Sequence, residues 1–334
     1  LGQEVVPDSG CGSWLLEPQS TNLITYSEDF SNSSWTKLNG ATVTADTIIS
    51  PDGTLNADSF TFTTSPSDKL QKVVTVAPSV DYTVSCYIKS DSNITIKMGG
   101  ATAASPINVT TEWVRHTITQ TNSATTTAYP QITSNGTAGT VYIYGFQLEQ
   151  QSYPTSYIPT QGATSTRLQD IATNSGNASL INSEEGVLYA EISALANDGT
   201  NRRISIAKDA NNKINIVLST SSNTVQAIVI SLGSVQFNQS YVITDTTSFF
   251  KVAIKYKEND FALWINGVEV AVDTSGNTFT SGVLNKLVFD NGNGSNPFYG
   301  KNKALAVYKT ALTDASLRSL TYPSAVATTF DLNF

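Results

Sequence analysis

The 334-residue chain is 40% hydrophobic and only 14% charged, with a formal net charge of −8 and no Lys/Arg cluster. That balance excludes a phosphate-backbone partner, which needs a basic patch. It also excludes a disordered chain, which would carry fewer apolar residues and more charge. No apolar run approaches the roughly 18 residues that cross a bilayer. The length is enough for two domains of ordinary size, and the abundance of Ser, Thr, Asn and Gly suits β-sandwiches with neutral, polar outer faces.

The chain opens at Leu1 with neither Met nor a signal-like apolar segment, so its true start is expected upstream or trimmed. Residues 1–19 mix Gly, Pro, Ser and Asp around Trp14-Leu15-Leu16 and read as an arm that docks locally onto the adjoining domain. Residues 20–160 then carry strand-like runs: ATVTAD, DSFTFTT, LQKVVTVA, DYTVSCYIKS, NITIKMG, EWVRHTITQT, AYPQITS and GTVYIYGFQLEQ. Turn clusters such as Ser50-Pro51-Asp52-Gly53 and Asn135-Gly136 separate them. Many short alternating strands at regular spacing predict a sandwich or jelly roll. Of the two cysteines, Cys86 lies in a strand and reads as a buried free thiol. Cys11 lies in the arm, and two cysteines neither build a disulfide scaffold nor match zinc spacing. The Asn-x-Ser/Thr triplets at Asn32, Asn93 and Asn135 are expected by chance in such a composition.

Several residues of this first half carry a resemblance. Asn22-Leu23-Ile24, Ser27-Glu28-Asp29-Phe30 and Trp35 resemble the opening of the carbohydrate-binding-module jelly rolls with a galactose-binding-like fold. Pro51-Asp52-Gly53, Ala57-Asp58-Ser59-Phe60, DYTVSCYIKS, Glu112-Trp113 and VYIYGFQLEQ continue the same order. More narrowly, LLEPQSTNLITYSEDFSNSSW and GFQLEQQSYPTSYIPT resemble segments repeated in bacteriophage fibre and virion-surface proteins. The likeness runs from about Trp14 to Arg167. It implies a structural Ca²⁺ at Glu28 and Asp29. Many relatives, however, complete that site with an Asp pair in the closing strand, where Tyr144-Gly145 stands here. Backbone oxygens would have to supply the rest of the about six to eight that a hard cation takes. Trp35, Tyr87 and Trp113 are the aromatic candidates for stacking on sugar, although Trp35 and Trp113 occupy positions that are usually core in this family.

Residues 161–183 are polar and read as a linker. Strands resume at GVLYAEIS, RRISIAKD, KINIVLST and TVQAIVIS. The clearest secondary structure in the sequence comes next, KVAIKYKENDFALWINGVEVAV. Asn266-Gly267 predicts a type I′ turn. That turn sets Ile265 opposite Val268, Leu263 opposite Val270 and Phe261 opposite Val272. The preceding loop sets Tyr256, Ile254 and Val252 against Phe261, Leu263 and Ile265. All nine then share one buried face of a meander, while Lys251, Lys255, Trp264 and Glu269 share a wetter one. Such a face needs a second sheet, hence a sandwich. KLVFD and KALAVYK close the set, and a helical turn is expected at residues 313–320, capped by Thr313. FALWING, Phe298-Tyr299-Gly300-Lys301, Val307-Tyr308 and Ala311-Leu312-Thr313-Asp314 resemble a laminin-G-like, concanavalin-A-like jelly roll spanning 184–321. Residues 322–334 form a tail that either docks on a neighbouring subunit or frays. The expected architecture is therefore all-β, two antiparallel β-sandwich jelly rolls in tandem.

No Glu-x-Asp-x-x-Glu run of the kind used by concanavalin-like glucanases is present. His116, the only histidine, alternates with Val114 and Ile118 and reads as sheet packing. No Ser or Cys nucleophile has an identifiable base, so the chain reads as non-catalytic. Glycan binding fits better, through an exposed ring with Asn, Asp and Gln side chains around it. The candidates are Trp264 on the outer face of the meander, the loop 290–296 with Asp290, Asn291 and Asn293, and Trp35 and Tyr87. From the resemblance, the expected setting is a virion surface, a head or tail fibre assembled as a dimer or trimer with other virion proteins and gripping host or environmental glycan. The alternatives are a secreted bacterial adhesin or accessory module of a polysaccharide-degrading enzyme, and a purely structural capsid decoration.

Overall fold

A computed structural model describes residues 5–6, 12–123, 125–173 and 175–323, with side chains from residue 12 onward. Cys11 and residues 324–334 of the tail lie outside the described residues. The chain is all-β apart from one helix, Asp314–Thr321. It divides into two compact units, one of residues 18–169 and one of residues 1–17 with 170–334. Each is an antiparallel β-sandwich.

In the 18–169 unit, one five-stranded sheet runs Val114–Thr121, Asp81–Ser90, Gly139–Glu149, Leu55–Phe62, Thr42–Ile49. The other runs Ser105–Val109, Ile94–Gly99, Gln131–Ser134, Lys69–Gln71, Thr36–Leu38. Alternation dictates the core. Tyr82, Val84, Cys86 and Ile88 point inward from one strand and meet Ile96, Met98 and Ile132 from the facing sheet, all nearly inaccessible. Cys86 is a buried free thiol, and burial pushes its pKa up. His116 is paired across from Cys86 and half-buried, with burial lowering its pKa. The AYPQITS run is broken at Pro130 into Thr127–Ala128 and Gln131–Ser134, which pair in different sheets.

In the second unit a seven-stranded sheet runs Val5–Val6, Ser13–Leu16, Gly300–Tyr308, Glu185–Ala194, Phe250–Lys257, Phe261–Ile265, Val268–Asp273. It packs on a five-stranded sheet running Ser234–Val242, Thr224–Ser231, Asn212–Leu218, Arg202–Asp209, Lys286–Val288. The arm does not dock on the domain next to it in sequence. Ser13–Leu16 pairs with Gly300–Asn302, covers a strand that would otherwise be an edge, and buries Leu16 in this unit's core. The polar stretch 161–183 is pinned as well: Ser165–Arg167 pairs with Ser20–Asn22 inside the first unit, and Ser175 bridges Leu287 in the second.

The meander forms with both Asn266 (φ 49°) and Gly267 (φ 81°) in the positive-φ region that a type I′ turn requires. Its last strand departs from the expected register. Ile265 faces Val268, but a bulge between Leu263 and Trp264 puts Leu263 opposite Ala271 and Phe261 opposite Asp273. Val268 and Val272 are consequently 56% exposed, because this strand is an edge and the bulge twists it away from the core. The opposite face is not wet either. The helix, capped by Thr313 Oγ1 accepting from Ser316 N, lays Leu317 over Val187, Tyr189, Ala253, Ala262 and Trp264. Lys255 is buried there, with Nζ 2.7 Å from Asp260 and 3.4 Å from Asp314.

Candidate functional site

The two segments LLEPQSTNLITYSEDFSNSSW and GFQLEQQSYPTSYIPT, far apart in sequence, interlock within the 18–169 unit. Asn22 is the centre of the clasp. Its Nδ2 donates to Phe146 O (3.2 Å) and Ile158 O (2.9 Å), and its Oδ1 accepts from Leu148 N (3.2 Å) and Ile24 N (3.1 Å). Gln147 Oε1 accepts from Ile158 N at 2.7 Å, and Thr160 N donates to Ser27 Oγ at 2.8 Å. The buried Glu149 carboxylate takes Ser20 Oγ (2.6 Å), the Thr155 amide and the Thr155 hydroxyl. Buried polar groups satisfied this completely fix a backbone in place.

Beside the clasp lies a pocket of about 520 Å³, lined by Tyr26, Glu28, Asp29, Ser31, Ala45, Asp46, Asn56, Asp58, Pro159, Thr160 and Gln161. Its size falls in the range of ordinary small-ligand clefts. The first interlocked segment contributes Tyr26 to Ser31, and the chain around the end of the second contributes Pro159 to Gln161. The far wall comes from a bulge in Thr42–Ile49, where the register slips between Thr44 and Ile48 and Asp46 adopts φ 53°. Asp58 anchors that bulge: it is 1% exposed and accepts from Asp46 N (3.0 Å) and Phe30 N (2.9 Å). Burial raises its pKa to about 6 even against those two hydrogen bonds. On the same wall, Asn56 donates Nδ2 to Asp52, while its buried Oδ1 has no hydrogen-bond partner.

The Ca²⁺ implied by the resemblance does not fit these residues. Glu28 Oε1 accepts from the phenols of Tyr157 (2.9 Å) and Tyr144 (3.2 Å), and Tyr144 also reaches Asp52 Oδ2 at 2.9 Å. Burial and the neighbouring carboxylates push both phenol pKa values up, so the phenols stay neutral donors. Both Asp29 oxygens serve its own turn, accepting from Ser31 Oγ, Asn32 N and Asn32 Nδ2. Among the described residues no group of three or more His, Cys, Asp or Glu is placed to hold a metal ion.

The aromatic candidates fall elsewhere. Trp35 is 1% exposed, packed edge-on and tilted between Phe30 and Phe146 at 5.2 Å from each, with Nε1 donating to Tyr26 O. Trp264 is 5% exposed beneath the helix. Neither can offer a ring face to a sugar. Tyr87 is partly buried under the Arg115 guanidinium at 5.6 Å, and Trp113 is partly buried with Nε1 on Ile49 O. Neither lines the pocket.

The loop 290–296 is likewise turned inward. Asp290 is buried and its Oδ1 accepts from Gly292 N and Gly294 N. Asn291 Oδ1 takes three donors from the sheet, Lys213 Nζ (2.8 Å), Arg203 Nη1 (3.0 Å) and Asn215 Nδ2 (3.2 Å). Gly292 is obligatory, with φ 84° and a Cβ that would stand 2.9 Å from Ala207 Cβ. Asn293 is exposed, closing the turn onto Ser295.

Of the residues around the pocket, the resemblance pointed only to Glu28 and Asp29, and only as metal ligands, while Tyr26, Asp46, Asn56, Asp58 and Gln161 were not singled out as site residues. Tyr26 and Asp58 stand inside the segments that carry the resemblance, and that adjacency was the available signal. Asp46 was illegible, because its placement depends on the bulge.

No protein-family model and no curated protein matches the chain. Among solved structures it is similar to the Ruminococcus gnavus IT-sialidase CBM40 (17% identity, 46% of this chain and 96% of that one, TM-score 0.37). It is also similar to mouse laminin alpha1 domains LG4-5 (11% identity, 75% and 88%, TM-score 0.29). A third is the sheep galectin-11 complex with glycerol (10% identity, 42% and 99%, TM-score 0.28).

Proposed function

We propose that this chain is a non-catalytic glycan-binding protein of a bacteriophage virion surface, a head or tail fibre built from two or three copies alongside other virion proteins. The observation that carries glycan binding is the Tyr26 pocket, a rigid, sugar-sized cleft with one aromatic ring and a wall of hydrogen-bond acceptors. Sugar hydroxyls are donors, and they match that wall. The virion setting is supported by the two interlocked segments, whose likeness to repeated fibre segments coincides with the clasp that frames the pocket. A non-catalytic role is supported by the ties on Glu28 and Asp29 and by a single histidine that packs in a sheet. One shallow site binds weakly, and copies displayed together raise the effective affinity by roughly 10²–10⁴.

The test is retention of the intact chain on a glycan array, with Tyr26→Ala and Trp264→Ala compared. Tyr26→Ala should lose retention while keeping its fold, whereas Trp264→Ala should lose stability and keep retention whenever folded. An intact chain that retains no glycan sinks the binding role. Antibody labelling of intact particles that finds the chain nowhere on their exterior sinks the virion role.

A further inference from the structure

We propose that the Tyr26 pocket selects uncharged or ammonium-bearing sugars and rejects glycans carrying carboxylate or sulfate. This rests on the reading of that pocket as the glycan site. Four carboxyl side chains line it, those of Glu28, Asp29, Asp46 and Asp58, and no Lys, Arg or His does. Two lysines stand nearby and spend their hydrogen bonds on uncharged groups, although the Lys37 charge acts on Asp29 and Asp58 and Lys72 Nζ lies 5.5 Å over the Tyr26 ring. Lys37 Nζ donates to Ser31 O (2.8 Å) and Asn32 O (3.0 Å), and Lys72 Nζ donates to Ser34 Oγ (2.7 Å). Neither lysine lines the pocket.

The pocket's open acceptors are two, beside the Tyr26 hydroxyl and the Gln161 side-chain amide, which can donate to a neutral ligand as well. Asp46 is exposed at the pocket mouth, and its carboxylate has no hydrogen-bond partner among the described residues. Asn56 Oδ1 is buried without a donor. A buried acceptor left unmade costs free energy that a ligand hydroxyl or ammonium can recover, and a ligand carboxylate cannot. Like charges brought together in a partly desolvated cleft repel strongly. Asp58 at the floor gains charge as pH rises above about 6, so at neutral pH it adds to the repulsion.

The experiment presents the full chain with matched glycan pairs, a neutral backbone and its uronate- or sulfate-bearing counterpart, at about 0.05 M and 0.5 M salt. The neutral member should be retained about tenfold or more over the acidic one at low salt, and high salt should narrow the gap. Asp46→Asn keeps an acceptor and tolerates positive φ, and Glu28→Gln keeps an acceptor for the phenols. Each should relax the discrimination, narrowing the ratio of neutral to acidic retention. Equal or tighter binding of the acidic member, or a gap unchanged in both variants, overturns the selectivity and leaves the pocket as the binding site. Retention of neither member overturns the pocket reading, and the selectivity with it.

Discussion

The acid pocket of residues 18–169 and the basic cluster under loop 290–296 are opposite solutions to one problem. In both, charged groups meet neutral partners rather than opposite charges. At the cluster, Arg203 and Lys213 have no ion pair among the described residues, and the Asn291 amide oxygen plugs the space between them. At the pocket, the Tyr144 and Tyr157 phenols satisfy the inner side of Glu28, while Asp46 and Asn56 Oδ1 are left open. The protein completes one set and withholds completion from the other. An Asn- and Gly-rich loop with the composition of a ligand site is thus a stopper, and a cleft built from ordinary strand residues is the place where a ligand has something to add.

The sharpest way to break that contrast is at the stopper. Asn291→Leu removes the side-chain acceptor shared by Lys213, Arg203 and Asn215 and leaves Lys213 only the longer bond to the Asn291 carbonyl (3.4 Å), so a loss of about 3 kcal/mol is expected in denaturant unfolding of this unit. Asn291→Asp does the reverse, placing a carboxylate against two cations. Its folded pKa should fall below the ordinary value, so the gain is present above about pH 4 and disappears as pH drops through the folded pKa. If Asn291→Leu is neutral, the cluster is solvated and the stopper reading fails.

A smaller effect belongs to the pocket floor. Asp58 titrates near 6 when folded and near 3.9 when unfolded, so the stability it contributes is complete below about pH 4 and lost as pH rises through 6. The amount is on the order of 2 kcal/mol. Asp52, held low by hydrogen bonds from Thr54 and then from Ser50 and Asn56, acts in the opposite window and loses its contribution as pH falls. Thermal unfolding of the 18–169 unit between pH 4 and 6.5 should therefore slope downward. A flat profile would mean that Asp58 is better solvated than its burial implies.

The strands were legible because period-2 patterning survives any register: YTVSCYIK alternates in sequence as it does in the sheet. Turn chemistry was legible at Asn266-Gly267. What one sheet packs against was not. Trp264 reads as outward-facing, and it is, yet eight residues of helix from the chain's end cover it. The edge bulge that exposes Val268 and Val272 leaves no mark in a hydrophobic pattern, because slipping one residue exchanges valines for an alanine and an aspartate. The arm's partner, more than 280 residues downstream, is likewise set by which edge needs cover. The pocket combines both kinds of blindness, since one wall is a bulge and the others meet only through the Asn22 clasp.

The smallest effect tests what holds the carboxylates of the pocket's inner wall. If neutral phenols do the work of a cation there, Tyr144→Phe removes one donor to Asp52 and Glu28 and costs about 1 kcal/mol. Chelator or millimolar Ca²⁺ should then leave the unfolding temperature of the parent unchanged. Tyr144→Asp would replace the donor with a third carboxylate beside Glu28 and Asp52, and only that variant should gain stability from added Ca²⁺. A parent protein that itself gains from Ca²⁺ would mean that the phenols yield to an ion, and that the closed side of the pocket is as open to ligands as its mouth.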